Sequence, residues 1–182
     1  YIVTTNYANF DLISDGLSYN DFAYYRENNE MKKLMSNYGY NIVGVGNSQY
    51  FGIESLISGS SNKSETIDGS SLQSVILKNT VLYPFVREDK EQVKLILDTF
   101  EYFKNAENYK KQSPMFTMSY LAMPHMPYFF NENGGLNNFE DAYNLYNIKG
   151  YLGNLKYAQK NIIDITENII KNDPEAIIIL QS

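Results

Sequence analysis

The sequence predicts an α/β fold with three layers, in which helices cover both faces of a mainly parallel sheet. The first observation is the order of elements, because strand-like runs alternate with helical segments along the chain. The second is Ala176–Leu180, a continuously apolar run of the kind found in strands buried on both faces of a parallel sheet. The third is size, since 182 residues, 43% of them hydrophobic, suffice for one domain with a sizeable core.

Local patterns place the elements in order. The predicted strands are Tyr1–Thr4, Ile42–Gly46, Phe116–Tyr120 and Ala176–Leu180, each a short run of apolar or β-branched residues. The predicted helices have apolar residues at helical spacing and span Asp21–Tyr38, Lys90–Lys104 and Phe139–Lys171.

Residues that end helices or favour turns separate these elements. Gly39 follows the first helix as a C-cap residue would, and Asn172-Asp173-Pro174 ends the last one. A turn at Asn47-Ser48 leads into a short helical stretch that ends at Ile57. The stretch Gly59–Ser71 is rich in Ser, Gly and Asn and predicts a loop, and Ser71–Leu77 is compatible with a short helix.

Composition excludes several classes of function. A net charge of −6 and the lack of a basic cluster argue against a nucleic-acid partner. The chain has no cysteine, which excludes disulfides, thiolate metal sites and cysteine nucleophiles. No apolar run approaches the roughly 18 residues of a membrane span. Gly44-Val45-Gly46 lacks the spacing of a dinucleotide-binding turn, so we interpret these glycines as residues that pack closely against neighbouring segments.

The only histidine, His125, lies between two prolines just after the predicted strand Phe116–Tyr120. Pro124 and Pro127 disfavour helix and hold the local backbone extended. The imidazole would then stand on a stiff loop at the carboxyl end of a strand, where open α/β sheets bind ligands. The alternative is an ordinary surface histidine that packs against Tyr128. No G-x-S-x-G motif accompanies His125, which argues against a serine hydrolase.

Several motifs, taken in order, resemble the sulfatase-like branch of the alkaline phosphatase superfamily. His125-Met-Pro-Tyr128, which follows a predicted strand, is similar to the family's H-x-P-[YF] segment, and Tyr151-Leu-Gly-Asn-Leu-Lys-Tyr157 is similar to the start of a family helix. Tyr1-Ile2-Val3 resembles the first strand, and Ser55-Leu56-Ile57-Ser58 resembles the S-L-x-S that follows the nucleophile. The resemblance is strongest to bacterial membrane-anchored members related to lipoteichoic acid synthases and phosphoethanolamine transferases. It covers nearly the whole chain and implies a partial alkaline-phosphatase-like fold.

The catalytic positions implied by this resemblance depart from the family pattern. The metal-binding acid of the first strand falls at Thr5, and a hydroxyl is a poorer ligand for a divalent cation than a carboxylate. The nucleophile falls at Gly52, which has no side chain, unless the alignment shifts it to Ser48. The Asp-His-Gly metal motif is expected just after Ser182, so we interpret residues 1–182 as a single domain fragment that ends before it.

Two functional classes follow from this resemblance. The first is a non-catalytic binding or structural module, a pseudoenzyme, in which His125, Asn47, Ser48 and Asn6 hold an anion or a sugar hydroxyl. The alternative is an excised part of an active metal-dependent phospho- or sulfo-hydrolase, or of a phosphoglycerol- or phosphoethanolamine-type transferase. A flavodoxin-like binding domain is a third possibility, against which the absence of a phosphate-cradling loop counts.

The family also implies cofactors, partners and a location. Its members use Mn, Mg, Ca or Zn, but no cofactor is expected in this chain, because Thr5 and Gly52 replace the acid and the nucleophile. The expected partner is an anionic small molecule or an envelope glycan or lipid head group. The expected location is extracytoplasmic, tethered to the bacterial membrane through segments that these residues do not contain.

Overall fold

A computed structural model describes residues 2–4, 29–57, 89–105, 108 and 114–181. It combines helices with a small parallel sheet. The strands are β1 (Ile2–Thr4), β2 (Asn41–Gly46), β3 (Met115–Tyr120) and β4 (Ile179–Gln181). The helices are α1 (Glu30–Asn37), α2 (Asp89–Lys104), α3 (Phe139–Ala142) and α4 (Ile148–Asn172), with a 3-10 helix at Ser48–Phe51.

The strand order in the sheet is β2-β3-β1-β4, and every pairing is parallel. This confirms the predicted parallel sheet, with a strand at or overlapping each of the four predicted positions. β2 and β3 pair over their whole length, from Asn41 opposite Met115 to Gly46 opposite Tyr120. Both are buried along nearly all of their length, as runs without polar alternation predict.

Two apolar clusters lie on opposite faces of the sheet, because successive strand residues point in opposite directions. Val43 and Val45 of β2 pack with Ile96, Phe100 and Phe103 of α2 and with Ile165 and Ile169 of α4. Phe116, Met118 and Tyr120 of β3 pack with Phe51, Ile53 and Met35 of α1. Helices therefore contact the strands from both sides, with α1 on one side and α2 and α4 on the other.

The helix ends follow local capping rules. The side-chain oxygen of Asn29 accepts a hydrogen bond from Lys32 N at 3.0 Å and starts α1. Gly39, at φ +79°, follows its last turn, which confirms the predicted C-cap. The long predicted helix Phe139–Lys171 is interrupted, since the chain turns at residues 143–147 between α3 and α4. The first half of the predicted helix Asp21–Tyr38, the predicted loop Gly59–Ser71 and the predicted short helix Ser71–Leu77 lie outside the described residues.

The last strand departs from its prediction. Only residues 179–181 pair with β1, and the apolar run is not buried, with Ile177 77% exposed and Ile179 and Leu180 about half exposed. The physical reason is that the run is covered on one face only. Ala176 and Ile178 pack against the core cluster, whereas Ile177 and Ile179 on the other face stay exposed.

The direction of the helices places the connecting segments at the two ends of the strands, called here the amino edge and the carboxyl edge of the sheet. A Cβ atom on Gly46, the last residue of β2, would lie 2.6 Å from the Thr99 hydroxyl oxygen. Since α2 ends at Lys104 and β3 begins at the amino edge, α2 runs opposite to the strands. At 1.5 Å per residue, the ten residues of α2 that precede Thr99 extend about 15 Å past the end of β2. The beginnings of α1 and α4 lie at this same carboxyl edge.

Candidate functional site

The carboxyl edge of β2 and β3 is where the sequence predicts a ligand site. Gly46 and Tyr120 are directly paired, so the segments that follow them leave the sheet at the same place. The first segment contains Asn47, the 3-10 helix and Gly52, and the second contains His125. This arrangement brings two of the three predicted site segments to one edge. The third, with Thr5 and Asn6 after β1, lies outside the described residues.

Ser48 is fully buried and its hydroxyl is already engaged. It donates a hydrogen bond to the carbonyl oxygen of Ile53 at 3.0 Å and so closes the turn after β2. The segment beyond this turn lies along β2, with Ser55 in a parallel bridge to Gly44. A Cβ atom on Gly44 would collide with Ser48 and with the backbone of Glu54. Glycine at position 44 therefore serves close packing, as the sequence analysis proposed, and Ser48 carries a structural hydrogen bond.

Gly52 has a conformational reason to be glycine. Its φ of +66° lies in the left-handed region, which residues with a Cβ atom rarely adopt. α1 holds the turn from one side, because Asn29 donates to the carbonyl of Phe51 at 2.9 Å and Lys32 donates to that of Gly52 at 3.1 Å. The position that the resemblance assigns to the nucleophile is thus a backbone turn without a reactive group.

His125 is exposed on a loop whose two ends are anchored in the core. Met123 and Tyr128 are buried on either side of it. The imidazole Nδ1 is within hydrogen-bonding distance of the carbonyl oxygen of the neighbouring Met126. No hydrogen bond joins His125 to Asn47 or Ser48 in the described part of the chain, so the convergence of these three side chains stays a prediction.

The segment after His125 forms a compact hairpin against α4. Phe130 and Leu136 form an antiparallel bridge, and the Asn131 side-chain oxygen accepts hydrogen bonds from Asn133 N and Gly135 N. The buried Asn154 of α4 accepts a hydrogen bond from Phe130 N at 3.2 Å. This hairpin fixes the path of the chain beyond the His125 loop.

An ion pair adds to the hairpin at the surface. Lys156 bonds the Glu132 carboxylate at 2.9 Å, and this contact lowers the pKa of Glu132 below its usual value. The pair is exposed, so its contribution to stability is small. In this ion pair, however, the opposite charges of Lys156 and Glu132 compensate each other.

An apolar groove that the sequence analysis did not predict lies beside this hairpin. It has a volume of about 590 Å³ and runs between the first half of α2 and residues 129–143. Val93 and Leu97 of α2 line it, and Val93 also packs against the sheet core. The apolar stripe of α2 in the sequence is wider than contact with the sheet core requires. Which second surface the stripe contacts depends on the tertiary structure.

Two features are absent from the described residues. No group of three or more histidine, cysteine, aspartate or glutamate side chains is close enough there to hold a metal ion. No helix in the described ranges is both long and apolar enough to cross a membrane.

Comparisons with protein-family models, with curated proteins and with solved structures find no match for this chain. The kinship with sulfatase-like proteins therefore stays a prediction that rests on the motifs quoted above.

Proposed function

We propose that this chain is a sulfatase-like, alkaline-phosphatase-like three-layer module that binds an anionic group at its carboxyl edge without catalysing its transfer. The observation that carries the proposal is the shared edge at Gly46 and Tyr120, from which the 3-10 turn and the His125 loop both leave. An exposed imidazole and the half-buried Asn47 stand on these two segments, and both side chains can donate hydrogen bonds to an oxyanion.

The chemistry of the same segments supports binding over turnover. Phosphoryl or sulfuryl transfer needs a nucleophile and a metal that stabilises the developing charge. In the described segments Gly52 offers no side chain, and the Ser48 hydroxyl donates to Ile53 out of contact with solvent. We propose an anionic small molecule or an envelope glycan or lipid head group as the ligand, and an extracytoplasmic, membrane-tethered parent protein as its setting.

The single histidine allows a direct test of this proposal. The His125 imidazole proton resonances, followed by NMR, should shift saturably as sulfate or phosphate is added, and the shift should be absent with chloride at equal ionic strength. Bound sulfate should also protect the chain against thermal unfolding, and His125→Ala should abolish that protection. Gln159→Ala, an exposed change on α4, is the matched control and should preserve it.

Two outcomes would contradict the proposal. A shift that rises linearly up to molar sulfate would show that no site exists at His125. Hydrolysis of aryl phosphates or sulfates with Mn²⁺, lost in His125→Ala, would instead support the alternative of a metal-dependent hydrolase or transferase.

A further inference from the structure

The groove beside α2 is a site separate from the His125 loop, since His125 is not among the residues that line it. Its walls are apolar and come from two parts of the chain. α2 contributes Val93 and Leu97, and the facing segment contributes Phe129, Leu136, Phe139 and Tyr143. A volume of about 590 Å³ falls within the range of roughly 300–1,000 Å³ that is usual for small-molecule sites.

Large apolar side chains stay exposed around this groove. Leu97 is 41% exposed, and Leu136 and Phe139 are also exposed although each borders the same concavity. Single exposed apolar residues are common, but several that converge on one concavity mark a binding surface. The groove therefore offers apolar area that only an occupant can bury.

The charge at one end of the groove is positive. Lys90 and Lys94 lie one turn apart on the α2 wall, and Asp98 lies one turn further along. Lys94 pairs with Asp98, whereas Lys90 forms no ion pair within the part of the chain that the structure describes. An unpaired ammonium group thus stands at the end of an apolar channel, although the chain as a whole carries a net charge of −6.

The lining of the groove matches an amphiphile with one apolar chain and one anionic group. Its walls are apolar, and the ammonium group of Lys90 stands at one end.

We propose that this groove binds a single-chain anionic amphiphile, a fatty-acid carboxylate, with its alkyl chain against Leu97 and Phe139 and its carboxylate at Lys90. The alkyl chain complements the apolar walls, and the carboxylate complements the ammonium group of Lys90. The binding is non-covalent and needs no metal and no group from the His125 site.

Calorimetric titration of the full chain with octanoate, decanoate and dodecanoate, each below its micelle concentration, tests this proposal. Each methylene moved from water into the groove is worth about a fourfold gain in affinity, so two more carbons should strengthen binding about fifteenfold. Dodecyltrimethylammonium has the same alkyl chain and the opposite charge, and it should bind more weakly than dodecanoate.

Matched variants separate the two parts of the proposed site. Leu97→Gln should weaken both amphiphiles about tenfold, whereas Leu152→Gln, at a leucine with a similar exposure of 46% on α4, should weaken neither. Leu136→Gln repeats this test from the opposite wall. Lys90→Gln should weaken dodecanoate about threefold and leave dodecyltrimethylammonium unchanged, and Lys160→Gln should affect neither.

Three results would overturn the proposal. The first is an affinity that does not depend on the length of the alkyl chain. The second is an equal loss of affinity in Leu97→Gln and Leu152→Gln. The third is that dodecanoate and dodecyltrimethylammonium bind with equal affinity both to the parent chain and to Lys90→Gln. Circular dichroism of each variant verifies that it is folded.

Discussion

Among the described residues, several buried hydroxyl groups lack a hydrogen-bond partner. Thr117 and Ser119 are fully buried in β3, and Tyr102 of α2 ends in a hydroxyl that is also shielded from solvent. Within the described residues none of these three oxygens has a partner. A buried polar group without a partner costs about 1–3 kcal/mol of stability. These positions are therefore places where a less polar side chain is expected to fit at least as well.

Tyr102→Phe is expected to raise the free energy of unfolding by up to about 1 kcal/mol at pH 7, because it removes an unpartnered hydroxyl and keeps the ring. The Tyr102 ring packs edge-on against Phe103 with a centroid separation of 5.4 Å, a contact that phenylalanine preserves. Urea unfolding measures the change. Tyr146→Phe, at a tyrosine that is 87% exposed, is the control and should leave stability unchanged.

The same residue predicts a dependence on alkaline pH. Burial raises the pKa of Tyr102 above its usual value of 10.0, so the folded chain keeps this proton at a pH where the unfolded chain has lost it. Ionisation of this group therefore costs no stability below pH 10.0, and the free energy of unfolding falls as the pH rises from 10.0 through the folded pKa. Urea unfolding from pH 9 to 11 should show a shallower loss of stability in Tyr102→Phe than in Tyr146→Phe. Equal slopes would contradict the assignment.

At the scale of elements, α4 is tied to α3 at its beginning and to α2 near its end. Asn147 caps its first turn, accepting from Gly150 N at 2.9 Å while donating to the carbonyl oxygen of Asp141 at 2.9 Å. Near its other end, Asn168 donates to the last carbonyl groups of α2 at 3.1 Å. These bonds hold α4 and α2 side by side on one face of the sheet, where Phe100 meets Tyr157.

Asn147→Ala is expected to lower the free energy of unfolding by about 1–2 kcal/mol, because the start of α4 loses its cap and the contact with Asp141. Asn147→Asp keeps an oxygen that can accept from Gly150 N and loses only the donor, so it should recover most of the stability. Thermal and urea unfolding measure both variants. Equal losses in the two variants would show that the cap itself contributes little.

For the whole molecule, the exposed apolar surface is unevenly distributed. Ile177, Ile179 and Leu180 are exposed at the end of the described sheet, with Leu180 on the opposite face from Ile179, and the α2 groove is a second exposed apolar area. Apolar strand edges without charged residues are prone to pair with other chains. Within the described part of the chain, the β4 edge is therefore a surface prone to self-association.

Ile179→Lys should reduce self-association at high protein concentration and change the free energy of unfolding by less than about 0.5 kcal/mol, because the side chain is already half exposed. Sedimentation velocity over a concentration series measures the first effect and urea unfolding the second. Ile148→Lys places the same charge at an exposed isoleucine away from β4 and should leave self-association unchanged. A similar reduction in both variants would point to net charge rather than to the strand edge.

The amino-acid sequence by itself determined the local elements. The apolar stripe of Lys90–Lys104, the C-cap at Gly39 and the apolar run Phe116–Tyr120 predict features that the structure contains, because periodicity and capping act over a few residues. It also indicated that strands would pair in parallel, and that the Asn47 and His125 segments would follow neighbouring strands. Whether their side chains meet stays a prediction.

Only the tertiary structure decided three further points. They are the engagement of the Ser48 hydroxyl by Ile53, the exposure of Ile177–Leu180 and the α2 groove. The groove and the strand exposure depend on contacts between residues far apart in the chain, or on their absence, and the Ser48 bond depends on the exact path of a turn. A hydrophobic pattern indicates which side chains favour burial, but only the packing of the elements determines which of them are buried.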